Sequence, residues 1–164
     1  MPHNLDEKDI KVLSQLQKNA RASAHEISRK THLSPNAVRA RIRKLENKGY
    51  IKQYVAVLNR KMLDRRLMSI TGISLASNSS ENLKSFLEFV KRVPEISLCH
   101  HVSGTYDFFL QIFAIDMKDY HNLLVNKLGE FGEINSTLSF FVLNEIGSGH
   151  FVDLTHLFIQ NNPN

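Results

Sequence analysis

Asn36, Arg39, Arg41, Arg43 and Lys44 crowd one short stretch of the chain. Side chains of these types suit the reading of a polyanion. An Arg fork pairs with the O6 and N7 edge of guanine, Asn pairs with adenine, and Lys meets phosphate. Ser34-Pro35 just ahead reads as a helix start, with Ser34 as cap and Pro35 in the first helical position. Ser34 and the open amides of that helix end can hold a phosphate. On a helix, Val38, Ile42 and Leu45 share one apolar face. That leaves Asn36, Arg39, Ala40 and Arg43 facing outward, with Arg41 and Lys44 flanking them. Small Ala40 lets the helix approach a groove. Gly49 stands where such a helix should stop.

Two helices ahead of it must hold it in place. Asp6 caps the first, with Glu7 and Asp9 at its positive end and Leu5 stapled against Ile10. Ile10, Val12, Leu13 and Leu16 form its apolar stripe. Ser23 followed by Glu26 is a capping box that opens a second short helix to about Thr31. His32-Leu33 then turns into Ser34. This is a helix-turn-helix, with His25, Arg29 and Lys30 on the second helix available to the DNA backbone. The bland alternative is a solvated basic helix in a bundle. Charge weighs against it: residues 1–60 hold 13 Lys/Arg against 5 Asp/Glu, while residues 61–164 hold 8 against 11.

The composition limits the class. The chain has 164 residues, 42% hydrophobic and 23% charged, which excludes a disordered chain, a collagen-like chain and a disulfide scaffold. Cys99 is the single cysteine, so an internal disulfide is impossible and a reducing compartment is expected. No apolar run approaches the ~20 residues of a membrane span. The first residues lack the apolar core of a signal peptide. A cytoplasmic protein is expected.

Tyr50–Leu58 is β-rich and reads as a wing or a linker strand, with the domain boundary near 59–66. Beyond it come a strand from Leu67, a helix from Glu81 stopped by Pro94, a strand from Glu95 and a turn at Gly104-Thr105. A strand from Tyr106, a helix capped by Asp116 and a strand from Ile134 follow. The order βαββαβ is ferredoxin-like, and Phe151–Ile159 is expected to add an edge strand. The fold class is therefore α+β, with a winged helix-turn-helix over 1–60 and a ferredoxin-like domain with its tail over 61–164. Phe108, Leu110, Ile112 and Ala114 face one side of their strand, and Phe109, Phe113 and Ile115 face the other. Phe140 and Phe141 repeat this pattern. One sheet face is thus left apolar without a helix to cover it, and the simplest cover is a second copy in a twofold dimer.

Other chemistry finds no support in the spacing. His100 and His101 are neighbours in a strand and point to opposite faces. No His-x3-His or Cys-x2-Cys pair occurs, so neither a metal site nor a cofactor is expected. Phosphate-binding glycine loops and a nucleophile elbow are absent from the sequence.

The run Leu5-Asp6…Asp9-Ile10…Leu13…Leu16-Gln17, then Glu26-Ile27-Ser28…Leu33-Ser34-Pro35…Arg41-Ile42…Leu45-Glu46…Gly49-Tyr50-Ile51, resembles the DNA-binding half of the Lrp/AsnC (feast/famine) family. Cys99-His100-His101-Val102-Ser103-Gly104-Thr105-Tyr106-Asp107-Phe108 resembles that family's second, RAM-type domain around its Gly-x-x-Asp turn. The resemblance covers roughly 5–145. It implies a transcription regulator that binds double-stranded DNA, forms homodimers and assembles further into tetramers or octamers. It also implies an amino acid or related metabolite as effector, held near Ser103, Gly104, Thr105, Tyr106 and Asp107. Gly104 would let backbone amides approach a carboxylate, Asp107 would accept from an α-ammonium, and Tyr106 would bound the side chain. After Leu143 the chain departs from the family's usual acidic continuation and runs Asn144-Glu145-Ile146-Gly147-Ser148-Gly149-His150. Two alternatives share the architecture: an effector-blind architectural DNA-binding protein, and an enzyme resembling the sirohaem decarboxylases. An enzyme has no use for a row of outward-facing Arg, so the expectation is not an enzyme.

Overall fold

The computed structural model describes residues 5–147 and 151–161. Its chain divides into two compact units, one running to Val57 and resuming at Gly147, the other spanning Leu58–Ile146.

The first unit begins with α1 (Glu7–Lys18), α2 (Ala24–Thr31) and α3 (Pro35–Asn47). Each start is built as its sequence demands. The Asp6 carboxylate accepts the Asp9 N–H at 2.7 Å, and the Ser23 hydroxyl accepts the Glu26 N–H at 3.2 Å. The Ser34 hydroxyl accepts the Ala37 N–H at 3.2 Å, with Pro35 in the first turn. His32 closes α2 in the left-handed region at φ 54°, and Gly49 sits beyond α3 at φ 74°. Ile10, Val12, Ile27, Val38 and Leu45 are fully buried between the three helices.

The sequence expectations need correction in two places here. Residues 51–59 form no strand, so the β-rich run is neither a paired wing nor a linker strand among the described residues. A strand needs a ladder partner for its backbone groups, and none adjoins it among the described residues. Tyr54 instead donates its hydroxyl to the Glu46 carboxylate at 2.9 Å, which fastens the segment to the end of α3. The expected edge strand at 151–159 is helix α6 (Thr155–Asn161), and it belongs to the first unit rather than to the second. Leu154, Leu157 and Phe158 recur at helical spacing and pack into the core of α1–α3. Asp153 receives both the N–H and the hydroxyl of Thr155, at 3.0 and 2.6 Å, which favours a helix start over extension. Gln17 on α1 grips the backbone of Val152 twice: its amide donates to the carbonyl at 3.1 Å and its oxygen accepts the N–H at 2.8 Å.

The second unit holds β1 (Leu67–Leu75), α4 (Ser80–Val90), β2 (Ile96–His101), β3 (Phe108–Ala114), α5 (Met117–Asn122) and β4 (Ile134–Phe141). Between α5 and β4 the helix loosens through a π turn over Leu123–Lys127 and a 3-10 turn over Leu128–Phe131. The sheet order is β2-β3-β1-β4 with antiparallel neighbours, the ferredoxin-like arrangement. Phe86 and Val90 of α4, with Tyr120, Leu123 and Leu128, cover Ile73, Phe108, Leu110 and Ile112. The other sheet face keeps its apolar side chains open: Leu98 is 45% exposed, Leu138 45% and Phe140 52%. Phe109 and Phe113 are half-buried there. The glycine-rich run expected after Leu143 lies partly outside the described residues.

Candidate DNA interface and effector turn

The outward face of α3 carries Asn36, Arg39, Ala40 and Arg43, all exposed, opposite buried Val38 and Leu45. One Arg39 guanidinium N–H meets the Asn36 carboxamide oxygen at 2.9 Å. That contact fixes the oxygen of Asn36, so its NH2 group points away and remains a donor. The face is therefore a stripe of donors with a small residue at its centre. Ser34 and Pro35 lie at its start, and exposed His25, Arg29 and Lys30 lie on α2.

Arg41 and Lys44 are not part of that stripe. The Arg41 guanidinium reaches back to α1, with Nη1 at 2.6 Å from both Asp6 Oδ2 and Asp9 Oδ1. Lys44 Nζ lies 2.6 Å from Asp9 Oδ2. Asp9 is 0% exposed, so it is a buried anion held between two cations from the neighbouring helix. These two residues were expected to flank the reading face, yet they bolt α3 onto α1. Their spacing in the sequence does not separate them from Arg39 and Arg43. The missing signal is the carboxylate pair Asp6 and Asp9, which capping alone seemed to explain. Partial burial works to raise the Asp6 pKa. The hydrogen bonds from Arg41 and the Asp9 N–H, with the charges of Arg41 and Lys44, outweigh it and hold the carboxyl below its ordinary 3.8. Arg41 is disfavoured as a cation by burial, but the two carboxylates more than compensate and raise its pKa. At the far end of α3, burial first and the Glu46 carboxylate second push the Tyr54 hydroxyl up to about 12.

The turn before β3 brings Ser103, Gly104 and Thr105 together as an exposed corner, with Gly104 at φ 146°. Tyr106 turns away from it onto the open sheet face. There its ring covers Gly72, and a Cβ on Gly72 would lie 2.9 Å from the Tyr106 ring. Gly72 is thus required by close approach, and Phe109 meets the same ring edge-on at 5.6 Å. Asp107 Oδ2 accepts the N–H of Leu75 at 2.8 Å, at the irregularity in the pairing of β1 with β4. The Asp107 N–H also donates to the Ile73 carbonyl at 2.9 Å. One carboxylate oxygen therefore already serves as a backbone strut. His101 stacks on Phe108 with ring centroids 4.9 Å apart. Burial raises the pKa of the half-buried Cys99 thiol, which disfavours its reactive thiolate.

Helix α3 and the sheet domain together define a class: a helix-turn-helix protein with a ferredoxin-like α+β domain. Residues 5–52 match the family described as winged helix-turn-helix DNA-binding, and residues 68–150 match the Lrp/AsnC ligand binding domain. The leucine-responsive regulatory protein of Haemophilus influenzae is 35% identical over 150 residues, covering 92% of this chain and 90% of that protein. The protein of that name in Escherichia coli is 35% identical over 143 residues, covering 87% of each. A transcriptional regulator of Neisseria meningitidis, solved in complex with L-methionine, superimposes with a TM-score of 0.89 at 30% identity, covering 94% of this chain and 99% of that one. An AsnC family regulator from Agrobacterium tumefaciens gives 0.87 at 27% identity, covering 93% and 99%. The chain belongs to the Lrp/AsnC family, and it is an Lrp-type DNA-binding transcriptional regulator with a ligand-binding domain. Among the described residues no helix is long and apolar enough to cross a membrane.

Proposed function

We propose that α3 reads base edges in the major groove through Asn36, Arg39 and Arg43, with Ala40 allowing close approach. His25, Arg29, Ser34 and Pro35 meet the sugar-phosphate backbone, while Arg41 and Lys44 act only by setting the pose of α3. The observation that carries this reading is the division of cations on one helix, with Arg39 and Arg43 presented outward and Arg41 and Lys44 consumed by Asp6 and Asp9. Two copies pair through the open sheet face bearing Leu98, Leu138 and Phe140, and so present two reading helices to a two-part site. Such dimers can assemble further. The protein works in the cytoplasm, where its DNA lies, and is not an enzyme.

The effector is an apolar amino acid held at the turn Ser103–Asp107. The L-methionine bound to the Neisseria regulator and the leucine response in the curated relatives' names support that choice. At this turn Ser103, Gly104 and Thr105 are the accessible groups, and Asp107 has one oxygen committed to Leu75. Arg39→Ala tests the reading helix in a gel-shift titration. It is expected to cost about 1–3 kcal/mol on a selected site, and much less on competitor DNA. Equal losses on both DNAs would assign Arg39 to phosphate and overturn the base-reading role. A thermal-shift screen of the amino acids tests the effector, since a ligand at a hundredfold excess over Kd adds about 2.7 kcal/mol of stability. A blank screen would favour an effector-blind architectural protein.

A further inference from the structure

We infer that the second unit carries a second small-molecule site, built for a compact carboxylate with an apolar body, at the end of the sheet opposite the Ser103–Asp107 turn. An open hollow of about 590 Å³ lies between α5 and the edge strand β4, with room for a small ligand against its floor. The turn leads into the first residue of β3 and α5 follows the last, so the two places lie about 20 Å apart along that strand. Met117, Leu124 and Phe141 form the apolar wall, with Met117 53% and Phe141 39% exposed. Exposed Lys118 and His121 stand at the rim, where Lys118 supplies positive charge and the His121 ring a further polar edge.

A chain of hydroxyls gives the cavity its polarity. Ser69 Oγ, Thr71 Oγ1, Tyr120 Oη and Ser139 Oγ follow one another at 3.2, 2.7 and 2.5 Å. Ser69 and Thr71 are 0% exposed and Tyr120 is 2% exposed, whereas Ser139 lines the cavity. Each hydroxyl has one proton to give. If the chain ran inward, Ser69 would hold its proton at the buried end, where a donor without an acceptor is costly. If it runs outward from Ser69, every internal proton is used and Ser139 turns its own toward the cavity. That proton, with Lys118 and His121, asks for an acceptor bearing negative charge beside an apolar group. A carboxylate on a short branched chain meets both requirements. An amine on the same chain meets only the second.

The test is a methyl NMR titration of the full chain with 4-methylpentanoate, with 4-methylpentylamine as the comparison. The carboxylate is expected to shift the Met117 and Leu124 methyls saturably, and the amine is expected to leave them still. Lys118→Glu, an exposed substitution, should raise the dissociation constant about tenfold or more. An equal response to the amine, or no dependence on Lys118, would overturn the carboxylate assignment. Shifts confined to Leu75, beside Asp107, would put the carboxylate at the turn and overturn the second site without touching the effector reading. Met117 and Leu124 signals that respond to protein concentration, but not to the carboxylate, would make the cavity a contact between copies and likewise overturn it.

Discussion

Asp9 shows how one residue can decide what its neighbours are for. Its carboxylate closes the cap of α1 and also receives Arg41 and Lys44, all without exposure to water. Asp9→Ala removes the cap partner, leaves Lys44 without its anion and leaves Arg41 with Asp6 alone. It should therefore destabilise the first unit by on the order of 3 kcal/mol, read by denaturant unfolding. Arg41→Ala should act the same way and weaken DNA binding only through a poorly seated α3. The binding defect of Arg41→Ala should then be uniform across DNA sequences, unlike that of Arg39→Ala. Asp6 adds a pH dependence. Its pKa is lowered on folding, so its contribution to stability is complete above about 3.8 and is lost as pH falls through the lower folded value. Replacing Asp6 by Asn should flatten the acid limb of the stability profile as pH falls below about 3.8, and an unchanged limb would remove Asp6 from that role. The outward residues of α3 were legible from period alone, because Val38, Ile42 and Leu45 fix the inward face. The fate of Arg41 and Lys44 was not, since their partners lie on another helix and long-range ion pairs leave no mark on local spacing.

At the level of elements, α1 to α3 followed from caps, Pro35 and Gly49, all of which act within a few residues. The strands of the second unit followed from apolar, β-branched runs such as the one from Leu67 and from punctuation at Pro94, Gly104 and Asp116. Two segments misled for opposite reasons. Tyr50–Leu58 has the composition of a strand but no neighbouring strand among the described residues, and propensity cannot supply a ladder partner. Val152 and Thr155 look β-like, yet Leu154, Leu157 and Phe158 keep a helical period and Asp153 caps it. Tertiary burial against α1 decided the outcome. Leu157 is 8% exposed in the core of the first unit. Leu157→Ala should cost about 2–3 kcal/mol and lower the unfolding midpoint of the DNA-binding unit. A loss confined to the second unit would contradict the placement of α6.

For the whole molecule, the chain leaves the DNA-binding unit once and re-enters it at its far end, so the sheet domain is an insertion between two parts of the first unit. The boundary read near 59–66, with the tail kept in the second domain as an edge strand, misses this because the returning segment was taken for a strand and carries little charge. The open sheet face was legible, since both sides of β3 are apolar while α4 and α5 cover one. Phe140→Asp places a charge in that face, and light scattering should show a dimer falling to a single subunit. Persistence of the dimer would locate the pairing elsewhere. The central claim concerns the stripe Asn36, Arg39, Ala40 and Arg43 in the major groove, where guanine N7 is exposed to methylation by dimethyl sulfate. The most direct measurement is methylation protection on a selected site. Wild-type protein should shield at least one guanine N7 in each half-site, and Arg39→Ala or Arg43→Ala should restore reactivity at a single position. Guanine protection identical in the wild type and in both variants would contradict the account.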